Sequence, residues 1–211
     1  GAVILNNGQT GAVTFLGTVS PAGGNLKEPV TESTKKAARC FYALNQNRAD
    51  KKRYPAVDPI DSYSKYLDYP EIVQYMSEHI APDWVEKVLK AKNIVLRGKE
   101  AYEQINILGD DGVPISYHEI YWKSELIDFV ILQQDAFDKI DASCPIERQK
   151  YMLALVLEAC DAKHEFNTFE ECSTYYKGLI NIFKQMNYSE FKSAEFDKYL
   201  SQIKNTISYD K

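Results

Sequence analysis

Leu108-Gly109-Asp110-Asp111-Gly112-Val113-Pro114-Ile115-Ser116 is the stretch that decides the fold class. Its glycines and proline stop one helix, and Ser116 is placed to cap another. Before it, Trp84, Val88, Ala91, Val95, Tyr102 and Ile105 recur at steps of four, three, four, seven and three. That spacing predicts one apolar face of a helix opened by Pro82 and running to about Leu108. After it, Tyr117 to about Gln134 reads as a second helix. The product is a helical hairpin with a short acidic tip. Gly98 falls in its seam, where it costs about 1 kcal/mol against alanine but permits close approach of another backbone.

Working outward, further helices are expected at about Glu147–Phe166, Thr168–Asn187 and Ser189–Ser208. Thr168 with Glu171 forms a capping box. Met152, Leu153, Val156, Leu157 and Cys160 make one apolar face, and Leu179, Ile180, Phe183 and Met186 another. Upstream, Pro70 opens a short helix to about His79, and another is expected from Thr31 or Ser33 to about Asn47. Residues 2–5 and 12–19 read as strands joined through Asn6-Asn7-Gly8, a hairpin signal. The fold class is therefore mainly α: a C-terminal helical bundle preceded by a short β-hairpin remnant of an α/β domain. Domain boundaries are expected at 1–66 and 67–211. Gly1-Ala-Val-Ile-Leu5 is an apolar run without an earlier partner, which reads as the broken edge of a longer protein, with Gly1 a cloning remnant.

Bulk properties exclude some classes. The chain has 211 residues, 45% hydrophobic and 26% charged, with a net charge of −5. That balance disfavours a nonspecific nucleic-acid binder. No apolar run approaches the roughly 20 residues of a membrane span. Cys40, Cys144, Cys160 and Cys172 form no C-x-x-C pair and read as reduced, buried thiols. His79, His118 and His164 lack metal-ligand spacing and read as surface or cap residues.

Arg53-Tyr54-Pro55-Ala56-Val57-Asp58-Pro59-Ile60-Asp61-Ser62-Tyr63-Ser64 is the segment most suggestive of function. Two prolines lock two φ angles and push Tyr54 and Asp58 toward extended geometry. Asp61 and Ser62 can bond nearby backbone N–H groups. The segment presents the Tyr54 ring from a rigid backbone; the plain alternative is a surface connection with a packed tyrosine. Asp58 and Asp61 are a carboxylate pair that reads as turn caps, since nothing supplies a proton partner. The Gly23-Gly24 loop lacks phosphate-loop spacing, and G-x-x-x-x-G-K-[ST] occurs nowhere. No catalytic residue is assigned.

Three motifs carry a resemblance: Gly17-Thr-Val-Ser-Pro-Ala-Gly-Gly-Asn-Leu-Lys-Glu-Pro-Val-Thr31, Tyr54-Pro-Ala-Val-Asp-Pro-Ile-Asp-Ser62 and Gln133-Gln-Asp-Ala-Phe-Asp138. In order and spacing the chain resembles the catalytic A subunits of V-type (A/V-type) ATP synthases. The resemblance implies the C-terminal part of such a subunit, with the phosphate loop and catalytic carboxylate upstream. It implies ATP or ADP with Mg in the intact subunit, and no tightly bound nucleotide on this piece. Tyr54 would stack on adenine, and Phe137 would be the second wall of that pocket. Phe137 can also be read as a core residue at a helix end. Gly23, Gly24 and Asn25, and the tip at Gly109, Asp110 and Asp111, would face the central shaft. Implied partners are the B subunits and the shaft subunit, in a cytoplasmic head peripheral to the membrane, with no nucleic acid and no membrane insertion. Tyr-Pro-Ala-Val-Asp-Pro is worded more like an F-type β subunit, and a free-standing helical adaptor is the alternative from another class.

Overall fold

Asn6-Asn7-Gly8 turns the chain as expected, with Gly8 at φ +80° supplying a backbone shape that other residues resist. In the computed structural model, which describes residues 2–208, this turn joins β1 (Ala2–Ile4) to antiparallel β2 (Thr10–Ala12). Gly1 lies outside the described residues. The longer strand expected over 12–19 does not form, and the chain after Ala12 is irregular. Phe15 and Leu16 stand 91% and 87% exposed. β-Propensity expresses a fit to a packed, pleated surface, and no packed surface covers these side chains. A short 3-10 turn at Ala22–Gly24 follows, with Gly23 and Gly24 at positive φ.

α1 spans Pro29–Ala37, shorter than the expected helix to Asn47. Pro29, rather than Thr31 or Ser33, sets its start, and Thr31 Oγ1 donates to the Glu28 carboxylate at 2.9 Å. The chain then turns extended at Ala38. The reason is long-range pairing: β3 (Cys40–Phe41) runs antiparallel to β4 (Tyr63–Ser64), which overrides local helix preference. The chain divides into two compact units, residues 1–39 and 40–211.

In that second unit, α2 (Gln46–Asp50) is capped by Asn45, whose side chain accepts from the Asn47 N–H at 2.9 Å. Then come α3 (Pro70–His79), α4 (Trp84–Leu108) and α5 (Ile115–Ile127). α5 runs into one π-helical turn at Asp128–Leu132. α6 (Ile146–Asp161), α7 (Phe169–Asn187) and α8 (Ala194–Ser208) complete the bundle. Pro114 occupies the cap of α5, so Ser116 lies inside the helix. Ser189 does not open α8; its hydroxyl donates to Met186 O at 2.7 Å and closes α7. The box at α7 forms on one side as expected, with Thr168 Oγ1 accepting from Glu171 N. The Glu171 carboxylate reaches one residue further back, to Asn167 N at 2.9 Å.

Both apolar faces expected on α6 and α7 are buried, from Met152 to Cys160 and from Leu179 to Met186. Leu126, Phe196 and Ile203 join them from α5 and α8. Each such side chain contributes about 1.5–3 kcal/mol on burial. Arg148 lies in this core and donates to Met186 O and Asn187 O at 3.0 and 2.6 Å. A cation there satisfies carbonyls left over at the C-terminus of α7.

The α4–α5 seam is as tight as Gly98 implied. A Cβ at position 98 would stand 2.1 Å from Ser124 Cβ and 3.2 Å from Ile120 O. Gly98→Ala gains about 1 kcal/mol of helix propensity but incurs an overpacking cost of about 1–3 kcal/mol. Calorimetric melting should show a net loss of several degrees. Adding Ser124→Gly, which removes the clashing Cβ, should recover part of it.

Candidate functional site

Tyr54 and Phe137, distant in sequence, line one open cleft of about 730 Å³. Pro55, Phe129, Gln134 and Tyr188 contribute to its walls, with Lys52 and Lys184 at the same cleft. The Tyr54 ring is half exposed, and Phe137 is 99% exposed. Phe137 is therefore no core residue at a helix end; it stands on the loop after the π-helical turn. That loop braces itself through carboxylates. Asp135 accepts from Phe137 N at 2.9 Å, Asp138 from Ile140 N and Asp141 N, and Asp141 from Asp135 N at 2.6 Å. Burial raises the Asp141 pKa, opposed by the hydrogen bond from Asp135. Gln133 also lines the cleft, and its amide nitrogen is buried with no hydrogen-bond partner among the described groups.

The backbone under Tyr54 is held from both sides. Its carbonyl accepts from Gln134 N at 3.0 Å. Asn45 N bonds Ala56 O at 2.9 Å, and Asp58 N bonds Ala43 O at 2.8 Å. The buried Asp58 carboxylate accepts from Ile60 N, Asp61 N and Asn45 Nδ2 at 2.8, 3.0 and 2.6 Å. Ser62 Oγ accepts from Ala43 N at 3.0 Å, as its position in the turn allowed. Asp58, not Asp61, is thus the carboxylate that takes up turn N–H groups. The pair is no acid–base couple.

Desolvation tends to raise the Asp58 pKa, but the hydrogen bonds from Asp61, Ile60 and Asn45 outweigh it and hold it below its ordinary value. A depressed carboxylate stabilises the fold above its unfolded pKa and loses that contribution as pH falls through its folded value. Denaturant titrations should therefore show Asp58→Asn less stable than wild type by about 1–3 kcal/mol at pH 7, with the gap closing below about pH 4.

Arg53 had no role legible in the sequence, yet its side chain is heavily bonded. Its guanidinium meets both oxygens of Glu125 at 2.9 and 2.6 Å and also donates to Asp128. Arg48 donates to the other Asp128 oxygen at 2.8 Å. Burial works against the Arg53 charge, but the bonds and attraction from Glu125 and Asp128 outweigh it and raise its pKa further. The Phe129 ring, itself a wall of the cleft, lies 4.7 Å from the guanidinium carbon. The available signal was spacing: Glu125 and Asp128 are three apart, hence on one helix face, and two arginines precede the Tyr54 motif.

At the hairpin tip, Gly109 takes φ +80° and Asp110–Gly112 makes one 3-10 turn. His118 is buried rather than a surface residue, stacked on Phe169, with Nε2 3.0 Å from Asp110 O. A carbonyl partner requires Nε2 to carry the proton, so His118 caps the tip from below. Ile107 and Leu108 beside the tip are largely exposed. In the first unit, Asn25 closes the Gly23-Gly24 turn through its N–H to Ala22 O, and its side chain accepts from Lys27 N. Cys160 and Cys172 are buried thiols, each pushed up to about 12 by burial, while Cys40 and Cys144 are half-buried. No described helix is long and apolar enough to cross a membrane.

Residues 2–64 match the family described as the ATP synthase alpha/beta family, nucleotide-binding domain. Residues 73–173 match the C-terminal domain of V and A type ATP synthase. The chain belongs to the V- and A-type ATP synthase family. It is 37% identical over 207 residues to the V-type ATP synthase alpha chain of Protochlamydia amoebophila, covering 98% of this chain and 34% of the relative. The same protein of Chlamydia abortus is 40% identical over 203 residues (96% and 34%), and that of Borrelia duttonii 36% over 207 (98% and 34%). This V/A-type chain thus spans about a third of the length of the curated relatives it matches. A solved ATP synthase subunit, NeqB from Nanoarcheaum equitans, aligns with a TM-score of 0.48 at 19% identity over 67% of this chain and 33% of that one. The curated relatives and family matches, not that alignment, carry the assignment.

Proposed function

We propose that the chain is part of the catalytic subunit of an ion-translocating rotary V-type ATP synthase, in which the Tyr54–Phe137 cleft receives the adenine of ATP or ADP. The observation that carries this reading is the meeting of two aromatic rings, from separate motifs, at one open cleft. The exposed Phe137 ring offers an uncovered apolar face at the cleft. A purine face covers it without base-specific hydrogen bonds, gaining roughly 1–3 kcal/mol per stacked base. In this reading the two rings hold the base and take no part in the chemistry. The phosphates and Mg would be held by other parts of the subunit, since the chain contains no Walker-A sequence.

In the assembled head, with B subunits and a central-shaft subunit as partners, the helical domain from about residue 67 would move with nucleotide state. Its tip at Gly109, Asp110 and Asp111, and the loop at Gly23, Gly24 and Asn25, would face the shaft. Two features support these contacts: the positive-φ glycines that shape both turns, and the exposed Ile107 and Leu108. The carboxylates at the tip number only two, so apolar contact outweighs charge there. The head would lie in the cytoplasm, peripheral to the membrane.

Tyr54→Ala in the complete subunit should raise KM for ATP by on the order of tenfold, the equivalent of about 1.4 kcal/mol of lost stacking. An unchanged KM would remove the adenine role. Isothermal calorimetry on residues 1–211 alone should detect ATP only well above micromolar concentrations, because phosphate contacts are missing. Micromolar binding would contradict that.

A further inference from the structure

Arg53 and Tyr54 are consecutive, and one short segment of the bundle receives both. Glu125 and Asp128 take the Arg53 guanidinium, and Phe129 packs against it while lining the cleft. Gln134 N then bonds the Tyr54 carbonyl. Residues 125–134 thus clamp one side of the loop through a side chain and the other through the backbone, and also supply walls of the cleft. The clamp needs a planar fork: one guanidinium serves two carboxylates, which an ammonium cannot do in the same geometry.

We propose that Arg53 is the positioning residue of the base site, fixing the Tyr54 ring at the cleft through Glu125 and Asp128. The inference rests on the reading of Tyr54 as a wall for adenine. A loop without the clamp spends part of its time with the ring elsewhere. Apparent affinity for the base then falls by the fraction of molecules in the competent arrangement. Arg53 is not among the residues that line the cleft, so the loss is confined to ligands that carry a base.

The test uses the complete subunit assembled in its enzyme complex, with steady-state ATP hydrolysis and competitive inhibition by inorganic tripolyphosphate. Arg53→Ala should raise KM for ATP by on the order of tenfold with kcat within about twofold, and leave the tripolyphosphate inhibition constant unchanged. Arg53→Lys, which keeps the charge but not the fork, should raise KM severalfold and remains informative if the alanine variant fails to assemble. Adding Tyr54→Ala to either should raise KM no further than Tyr54→Ala alone, because both changes remove one interaction. If Tyr54→Ala raises KM and the Arg53 variants do not, the positioning role falls and the base wall stands. Equal weakening of tripolyphosphate and ATP, or full additivity of the two changes, also overturns it. If Tyr54→Ala itself leaves KM unchanged, the base-wall reading falls and this role with it.

Discussion

The partly buried guanidinium of Arg53, forked onto Glu125 and shared with Asp128, is the constraint on which the site depends. Removing one partner of a buried ion pair strands the other and costs about 3–5 kcal/mol, far more than an exposed pair contributes. The fork ties the irregular segment of residues 40–64 to the end of α5. Without it, Asp58 could still order the turn locally, but the ties to the bundle would shrink to Arg48 on Asp128 and the Gln134 N–H on the Tyr54 carbonyl. Gly98 acts on the same helix from its other neighbour, letting α4 approach close enough that Ser124 fills the space a Cβ would take. α5 is therefore held by packing against α4 and in turn holds the loop by charge.

The helical domain was legible because its signals are local and periodic. Val156, Leu157, Leu179 and Phe183 repeat at helical spacing, and Gly109 and Pro114 break the pattern where the hairpin turns. Two of the misread elements share one cause. Ala12–Val19 has strand composition, and Thr31–Asn47 has helix composition, but composition alone does not say what lies alongside. The former stays irregular beyond Ala12, and the latter is cut at Ala37 by the pairing of Cys40–Phe41 with Tyr63–Ser64. The start of α8 slipped for a different reason: Ser189 satisfies a carbonyl of the preceding helix instead of capping its own.

Of the candidate site, the two aromatic residues that line the cleft were singled out through motif resemblance, and the electrostatic frame was not. Tyr54 and Phe137 stand in recognisable words of sequence. Arg53, Glu125 and Asp128 acquire their role only when two distant segments meet, and charged residues on helices are common enough that spacing alone does not single them out. His118 illustrates the same limit in reverse: an isolated histidine with no ligand pattern lies buried beneath the tip because a backbone carbonyl, invisible in sequence, accepts a hydrogen bond from its Nε2–H.

The central claim is that Tyr54 and Phe137 form two walls of one adenine site on a loop clamped by Arg53. The most direct measurement is a structure of the complete protein with a non-hydrolysable ATP analogue bound. The account predicts the adenine ring within about 4 Å of both side chains, with the Arg53–Glu125 fork intact. A base bound elsewhere, with both rings uncovered in the nucleotide-loaded protein, would contradict it.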